Sequence, residues 1–90
     1  MTETSEAQII MYGTDWCPES HLAKFVLKKL KADYTYINID QDKAAENIVI
    51  QNNAGSRSVP TIFFPDDSVL VEPSRRELTK KVLSLGLSKK

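Results

Sequence analysis

The stretch Gln8-Ile9-Ile10-Met11-Tyr12-Gly13-Thr14-Asp15-Trp16-Cys17-Pro18-Glu19-Ser20 decides the fold of this chain. It opens as a short apolar run, Gln8 to Tyr12, and breaks at the turn-forming Gly13-Thr14-Asp15. Beyond it, Leu22, Val26 and Leu30, reinforced by Ala23 and Leu27, recur at helical spacing. The pattern is strand, turn, helix. Cys17 therefore falls at the helix N-cap, with Pro18 at the first helical position, where a missing N–H costs nothing. Unpaired backbone N–H groups and the helix dipole favour an anion at that end. The anion of cysteine is the thiolate, which attacks disulfides. A lone free cysteine is more often a small buried hydrophobe. Such a residue sits inside a strand or on an apolar helix face, not between a turn and a proline-started helix, so Cys17 reads as a reactive thiol.

Bulk properties narrow the possibilities. Ninety residues make one domain, spanning 1–90, because two independent cores do not fit. Acidic and basic residues balance at twelve each, which gives no reason to expect nucleic acid or an acidic membrane as partner. The basic stretches Lys24 to Lys31 and Arg75 to Lys81 are interleaved with apolar positions and read as solvated helix faces. A single cysteine forms no internal disulfide, so a disulfide-stapled scaffold is excluded. The polar start, Met1 to Glu6, is unlike a signal peptide, and no apolar run reaches the roughly 18 residues of a membrane span. A reducing cytoplasm is the expected home, and a monomer the expected state. Residues 1–7 and 87–90 are expected to be flexible.

The remaining elements follow in order. Strand one covers about Gln8 to Tyr12, and helix one about Pro18 to Lys31. Tyr34-Thr35-Tyr36-Ile37-Asn38-Ile39 alternates β-branched and aromatic residues and reads as strand two. Asp40 or Asp42 caps helix two, whose Ala45, Ile48, Val49 and Asn52 share one face, and Gly55 suits the position just past its end. Thr61 to Phe64 is strand three, Pro65-Asp66-Asp67-Ser68 a turn, and Val69-Leu70-Val71 strand four. Ser74-Arg75-Arg76-Glu77 spells a capping box before helix three, with Leu78, Val82 and Leu85 as its buried stripe. The tail from Gly86 offers little to bury. The order βαβαββα predicts an α/β fold. Its first two strands are parallel through a right-handed crossover and its last two form a hairpin, giving a four-stranded mixed sheet flanked by three helices.

Three features together resemble the glutaredoxin branch of the thioredoxin fold: the Cys17-Pro18 helix entry, the Val59-Pro60 dipeptide before strand three, and the element order. Within that branch, Met11 to Cys17, Ser58-Val59-Pro60-Thr61 and Glu72-Pro73-Ser74 are similar to the mycoredoxins. The resemblance implies a strand order of 2-1-3-4 and Cys17 as nucleophile. It also implies a cis Val59–Pro60 bond, with the Val59 backbone facing Cys17 and pairing with the backbone of a bound thiol. Arg57 and Ser58 then fall beside the substrate, Arg57 resembling a contact for a substrate carboxylate.

Departures from the family pattern carry information. Ser20 stands where dithiol members have a second cysteine, so an intramolecular dithiol cycle, and electron donation to ribonucleotide reductase through one, are not expected. Gly13, Thr14 and Asp15 replace the lysine that many glutaredoxins place before the cysteine, and Glu72-Pro73 replaces the Gly-Gly pair of glutathione-binding members. Both changes weaken the case for glutathione and favour mycothiol or another low-molecular-weight thiol. Pro18-Glu19 also differs from the Cys-Gly-Phe-Ser site of cluster-carrying members.

Around the thiol, Asp15 and Glu19 oppose ionisation by like charge, while the helix terminus acts at closer range. Ser20, one turn on, is placed to donate a hydrogen bond to the thiolate. His21 reads as solvated, and Cys17 with His21 supplies only two of the four ligands zinc needs, so no metal is expected. Trp16 either shields the thiol, packs on a partner or fills the sheet end. The expectation is a monothiol thiol–disulfide oxidoreductase that reduces mixed disulfides between client proteins and a low-molecular-weight thiol, mycothiol or glutathione. That thiol is a co-substrate, not a bound cofactor. An iron–sulfur dimer and a non-catalytic adaptor are the alternatives.

Overall fold

The structure is a computed structural model that describes residues 8–88. The elements run β1 (Ile9–Gly13), α1 (Pro18–Lys29), β2 (Tyr34–Asn38), α2 (Lys43–Asn52), β3 (Thr61–Phe63), β4 (Val69–Val71) and α3 (Arg75–Ser84). They form a four-stranded sheet in the order β2-β1-β3-β4. β1 and β2 are parallel from Ile9 opposite Tyr34 to Gly13 opposite Asn38. β3 pairs antiparallel with β1, Ile10 opposite Phe63, and with β4, Thr61 opposite Val71.

Alternation along the strands sorts side chains onto two faces. Ile9, Met11 and Ile62 join Ala23, Val26 and Leu27 of α1 and Leu78 and Val82 of α3 in one cluster. Ile10, Tyr12, Ile37 and Phe63 face the other way and pack with Ala45 and Val49 of α2. The rings of Tyr12 and Phe63 meet edge to face, 5.5 Å between centroids. Cys17, Ile39 and Val59 complete this second cluster, so the thiol is rooted in the smaller core.

Local sequence dictates how each helix begins. Asp42 caps α2, its carboxylate accepting from the Ala45 N–H at 3.0 Å. Ser74 and Glu77 close the expected capping box on α3. The helix ends share a device in which the second residue past the cap bonds back to the last full turn. Ala32 N donates to Leu27 O, Gly55 N to Ile50 O and Leu87 N to Val82 O. The left-handed positions are Lys31, Ala54 and Gly86, at φ 57°, 55° and 68°. Past α2 that first left-handed residue is Ala54, with Gly55 one place later.

Some expected packing differs. Ile48 is 43 % exposed and Leu22 37 % exposed. The buried stripes are narrow and centred on Ala45 and Val49 in α2 and on Ala23, Val26 and Leu27 in α1. One residue off such a centre rotates out of the contact. At the C-terminus, Leu87 packs against the first cluster and the Ser88 hydroxyl donates to Leu30 O at 2.7 Å, so residues 87 and 88 are engaged where little burial was expected. The expectations for residues 1–7, 89 and 90 lie outside the described residues.

Candidate functional site

The site forms where three connections converge at one end of the sheet: β1 to α1, β2 to α2, and α2 to β3. Cys17 is the N-cap of α1, extended at φ −87° and ψ 119°, with Pro18 following it. Its N–H reaches Thr14 O at 3.5 Å and its carbonyl accepts the first helical bond, from His21 N at 3.2 Å. The side chain makes no capping bond to the helix. Sγ is instead directed across the site, where the thiol donates to Val59 O at 3.9 Å. Cys17 is only 6 % exposed.

Val59 and Pro60 are buried and joined by a cis peptide bond. Their loop is held on both flanks. The Thr61 hydroxyl donates to Ser58 O at 2.8 Å and accepts from Asn53 Nδ2 at 3.1 Å, while Glu72 N donates to Pro60 O at 2.8 Å. Glu72 adopts φ 51° to do so. The Ser58 hydroxyl lies 2.8 Å from that of Ser56.

Ser20 is fully buried, and its Oγ finds no hydrogen-bond partner among the described residues. The expected bond from Ser20 to the sulfur is therefore not formed. Its Oγ is turned towards Gly13, where a Cβ would come within 2.7 Å of it. The two side chains are aimed apart, Cys17 Sγ at Val59 O and Ser20 Oγ at Gly13.

A network of charges closes the opposite wall. Trp16, 66 % exposed, donates its indole N–H to Asp40 Oδ2 at 2.8 Å. Asp40 also accepts from the Arg57 guanidinium, whose Nε donates to Glu46 Oε2 at 2.5 Å. The Arg57 hydrogen bond, followed by that from Trp16, holds Asp40 below the usual carboxylate range. Glu46 is lowered first by Arg57 and then by Lys43. Asp40, Asp42, Lys43, Glu46 and Arg57 rim a depression of about 280 Å³ floored by Ile39. On the other side, Tyr36 donates to Asp15 Oδ1 at 2.8 Å, and Lys24 Nζ stands 3.6 Å from the Tyr36 ring centre. Burial, followed by the Asp15 bond, pushes the Tyr36 hydroxyl pKa up. His21 Nε2 lies 2.5 Å from Asp15 O on the surface.

The structure thus brings Cys17, Val59 and Pro60 together and links Trp16 to Arg57 through Asp40. It keeps the Ser20 hydroxyl away from the sulfur. Asp40, Glu46, Tyr36, Thr61 and Glu72 were not singled out as site residues from the sequence. The sequence signals were indirect: Asp40 reads there as a helix-cap candidate, and Thr61 and Glu72 fall within the family-like stretches Ser58 to Thr61 and Glu72 to Ser74. Among the described residues no group of three or more His, Cys, Asp or Glu could hold a metal ion, and no helix is long and apolar enough to cross a membrane.

A parallel–antiparallel sheet in this order, with a cysteine capping the first helix opposite a cis-proline loop, defines a thioredoxin-fold thiol–disulfide oxidoreductase. The family model described as Glutaredoxin matches residues 9–69, and the chain belongs to the glutaredoxin family. Mycoredoxin 1 of Corynebacterium glutamicum is 34% identical over 81 residues, covering 89% of this chain and 99% of the relative. Among solved structures, the thioredoxin-like protein BC3987 superposes with a TM-score of 0.71 at 26% identity, covering 80% of this chain and 96% of that one. The glutaredoxin from Archaeoglobus fulgidus shares the fold, with a TM-score of 0.67 at 22% identity over 89% of this chain and 94% of that one.

Proposed function

We propose that this chain is a monothiol oxidoreductase that releases client proteins from mixed disulfides with a low-molecular-weight thiol. The observation that carries the reading is the Cys17 sulfur at the α1 N-cap, 3.9 Å from the backbone oxygen of Val59. In this reading the Val59 backbone beside the sulfur aligns the incoming disulfide.

In the first step the Cys17 thiolate attacks the small-thiol sulfur of the mixed disulfide. One S–S bond forms, one breaks, and the client leaves as a thiolate that takes a proton from solvent. A second small-thiol molecule, as thiolate, then attacks the sulfur bound to Cys17. It forms the symmetric small-thiol disulfide and frees Cys17. With no other cysteine in the chain, no internal thiol competes for the intermediate. Val59 and Pro60 position the disulfide, Ser58 braces their loop, and Trp16 and Arg57 form the opposite wall. Ser20 acts by filling the space behind Gly13. The co-substrate is mycothiol or glutathione, and the relationship to Mycoredoxin 1 favours mycothiol. A monomer in a reducing cytoplasm suits a lone exchangeable thiol.

The test is exchange with a peptide carrying a mycothiol mixed disulfide. The chain is expected to release free peptide, and Cys17→Ser to abolish release. Release at an undiminished rate by the Cys17→Ser protein would overturn the reading.

A further inference from the structure

The charged rim of the site holds a cation already paired. Arg57 stands two residues before Val59, beside the docking edge, where a bare guanidinium would attract a carboxylate on an incoming thiol. It is not bare. Asp40 and Glu46 both take its N–H donors, from the β2–α2 connection and from α2 respectively. Asp42 adds a further acid to the same rim, against Lys43 alone. Asp40 also accepts from Trp16, the residue before the nucleophile, so one carboxylate ties Trp16 to Arg57.

We propose that Asp40 is a specificity-determining residue, occupying Arg57 so that carboxylate-bearing thiols gain no attraction there and thiols lacking a carboxylate are favoured. The inference rests on the exchange reading of Cys17. Glu46 assists by holding the guanidinium from its other side. The selectivity comes from a cation whose charge is already paired with two carboxylates, which discriminates without any contact to the preferred thiol. Discrimination of this kind acts by withholding a favourable interaction from the competitor.

Two probes of equal size separate the effect from general fit: peptide mixed disulfides with N-acetyl-Cys-Gly and with its carboxamide. Each is reacted once with the protein, and release of the peptide thiol is followed. The ratio of acid to amide rates is normalised to that of a free model thiol. Asp40→Asn keeps an oxygen that accepts from Trp16 while removing the charge. It is expected to raise the acid-to-amide ratio about two- to fivefold, the scale of one exposed ion pair. The gain is expected to shrink in high salt and to vanish in the Asp40→Asn, Arg57→Gln double variant. Glu46→Gln is expected to shift the ratio in the same direction, and Asp40→Glu to restore it. A ratio unchanged by Asp40→Asn would overturn the proposal. So would a rise that persists without Arg57, which would mean simple repulsion by the acidic rim. Absence of Cys17-dependent release with either probe in the unmodified chain is a different result, and it would overturn the exchange reading itself.

Discussion

Gly13→Ala probes the packing beneath the thiol most sharply. Gly13 ends β1 opposite Asn38, and its φ is not in the left-handed region. At such a position Gly→Ala ordinarily stabilises by about 0.4–1 kcal/mol, because the unfolded chain loses freedom. Here the added Cβ would stand 2.7 Å from Ser20 Oγ and 3.2 Å from both Ser20 Cβ and Tyr36 Cε1. The first distance is well inside ordinary contact, and Ser20 lies in the first turn of a packed helix with little room to retreat. Overpacking of this kind costs about 1–3 kcal/mol, so the expected sign is opposite to the usual one. Ser20→Ala removes the crowding atom and also a buried hydroxyl that has no partner among the described residues, a group whose burial costs about 1–3 kcal/mol. Ser20→Ala alone is therefore expected to be neutral or stabilising, and the double variant to recover part of the Gly13→Ala loss. Urea unfolding of the four proteins gives the coupling, expected at about 1 kcal/mol or more. In thermal melts about 4–8 °C corresponds to each kcal/mol for a domain of this size. Strict additivity, or a Gly13→Ala protein more stable than the parent, would refute the packing argument.

Other perturbations have definite expected outcomes. Ser20→Ala is expected to keep the Cys17 exchange rate within about threefold, since a hydrogen bond to the sulfur, worth about 1.5–3 kcal/mol when charged, is not there to lose; stopped-flow exchange checks this. Asp42→Ala is expected to lower stability by about 0.5–2 kcal/mol through loss of the α2 cap, read from the urea midpoint. Leu27→Ala, at a fully buried site, is expected to cost about 2–5 kcal/mol, whereas Leu22→Ala is expected to cost far less. Asp40 and Glu46 titrate below their ordinary values of 3.8 and 4.5 because Arg57 binds them. Their contribution is present above those values and is lost as pH falls from about 4.5 through the lowered folded ones. Arg57→Ala is therefore expected to flatten the fall of melting temperature over that acid range.

The sequence carried the fold because its signals were local and agreed with one another. The Cys17-Pro18 helix start, the Ser74–Glu77 box and the Pro65–Ser68 turn each specify a boundary by backbone chemistry within a few residues. The apolar run Gln8 to Tyr12 and the alternation in Tyr34 to Ile39 then mark the first two strands. What stayed hidden depended on contacts between distant segments. The bridge from Trp16 through Asp40 to Arg57 joins residues 24 and 17 positions apart, and no local pattern marks such a pairing. Ile48 and Leu22 fit a helical stripe by spacing, yet the width of that stripe is set by how closely the helix meets the sheet. Adjacency of Cys17 and Ser20 in sequence does not reveal which way each side chain turns, the thiol towards Val59 and the hydroxyl towards Gly13.

The central claim is that Cys17 accepts the small-thiol half of a mixed disulfide. It is tested most directly by intact mass after the first half-reaction with a peptide–mycothiol disulfide, in the absence of added free thiol. The account predicts mycothiol attached to Cys17 and an equal amount of free peptide thiol. Peptide attached to Cys17 with mycothiol released, or no adduct on Cys17 at all, would contradict it.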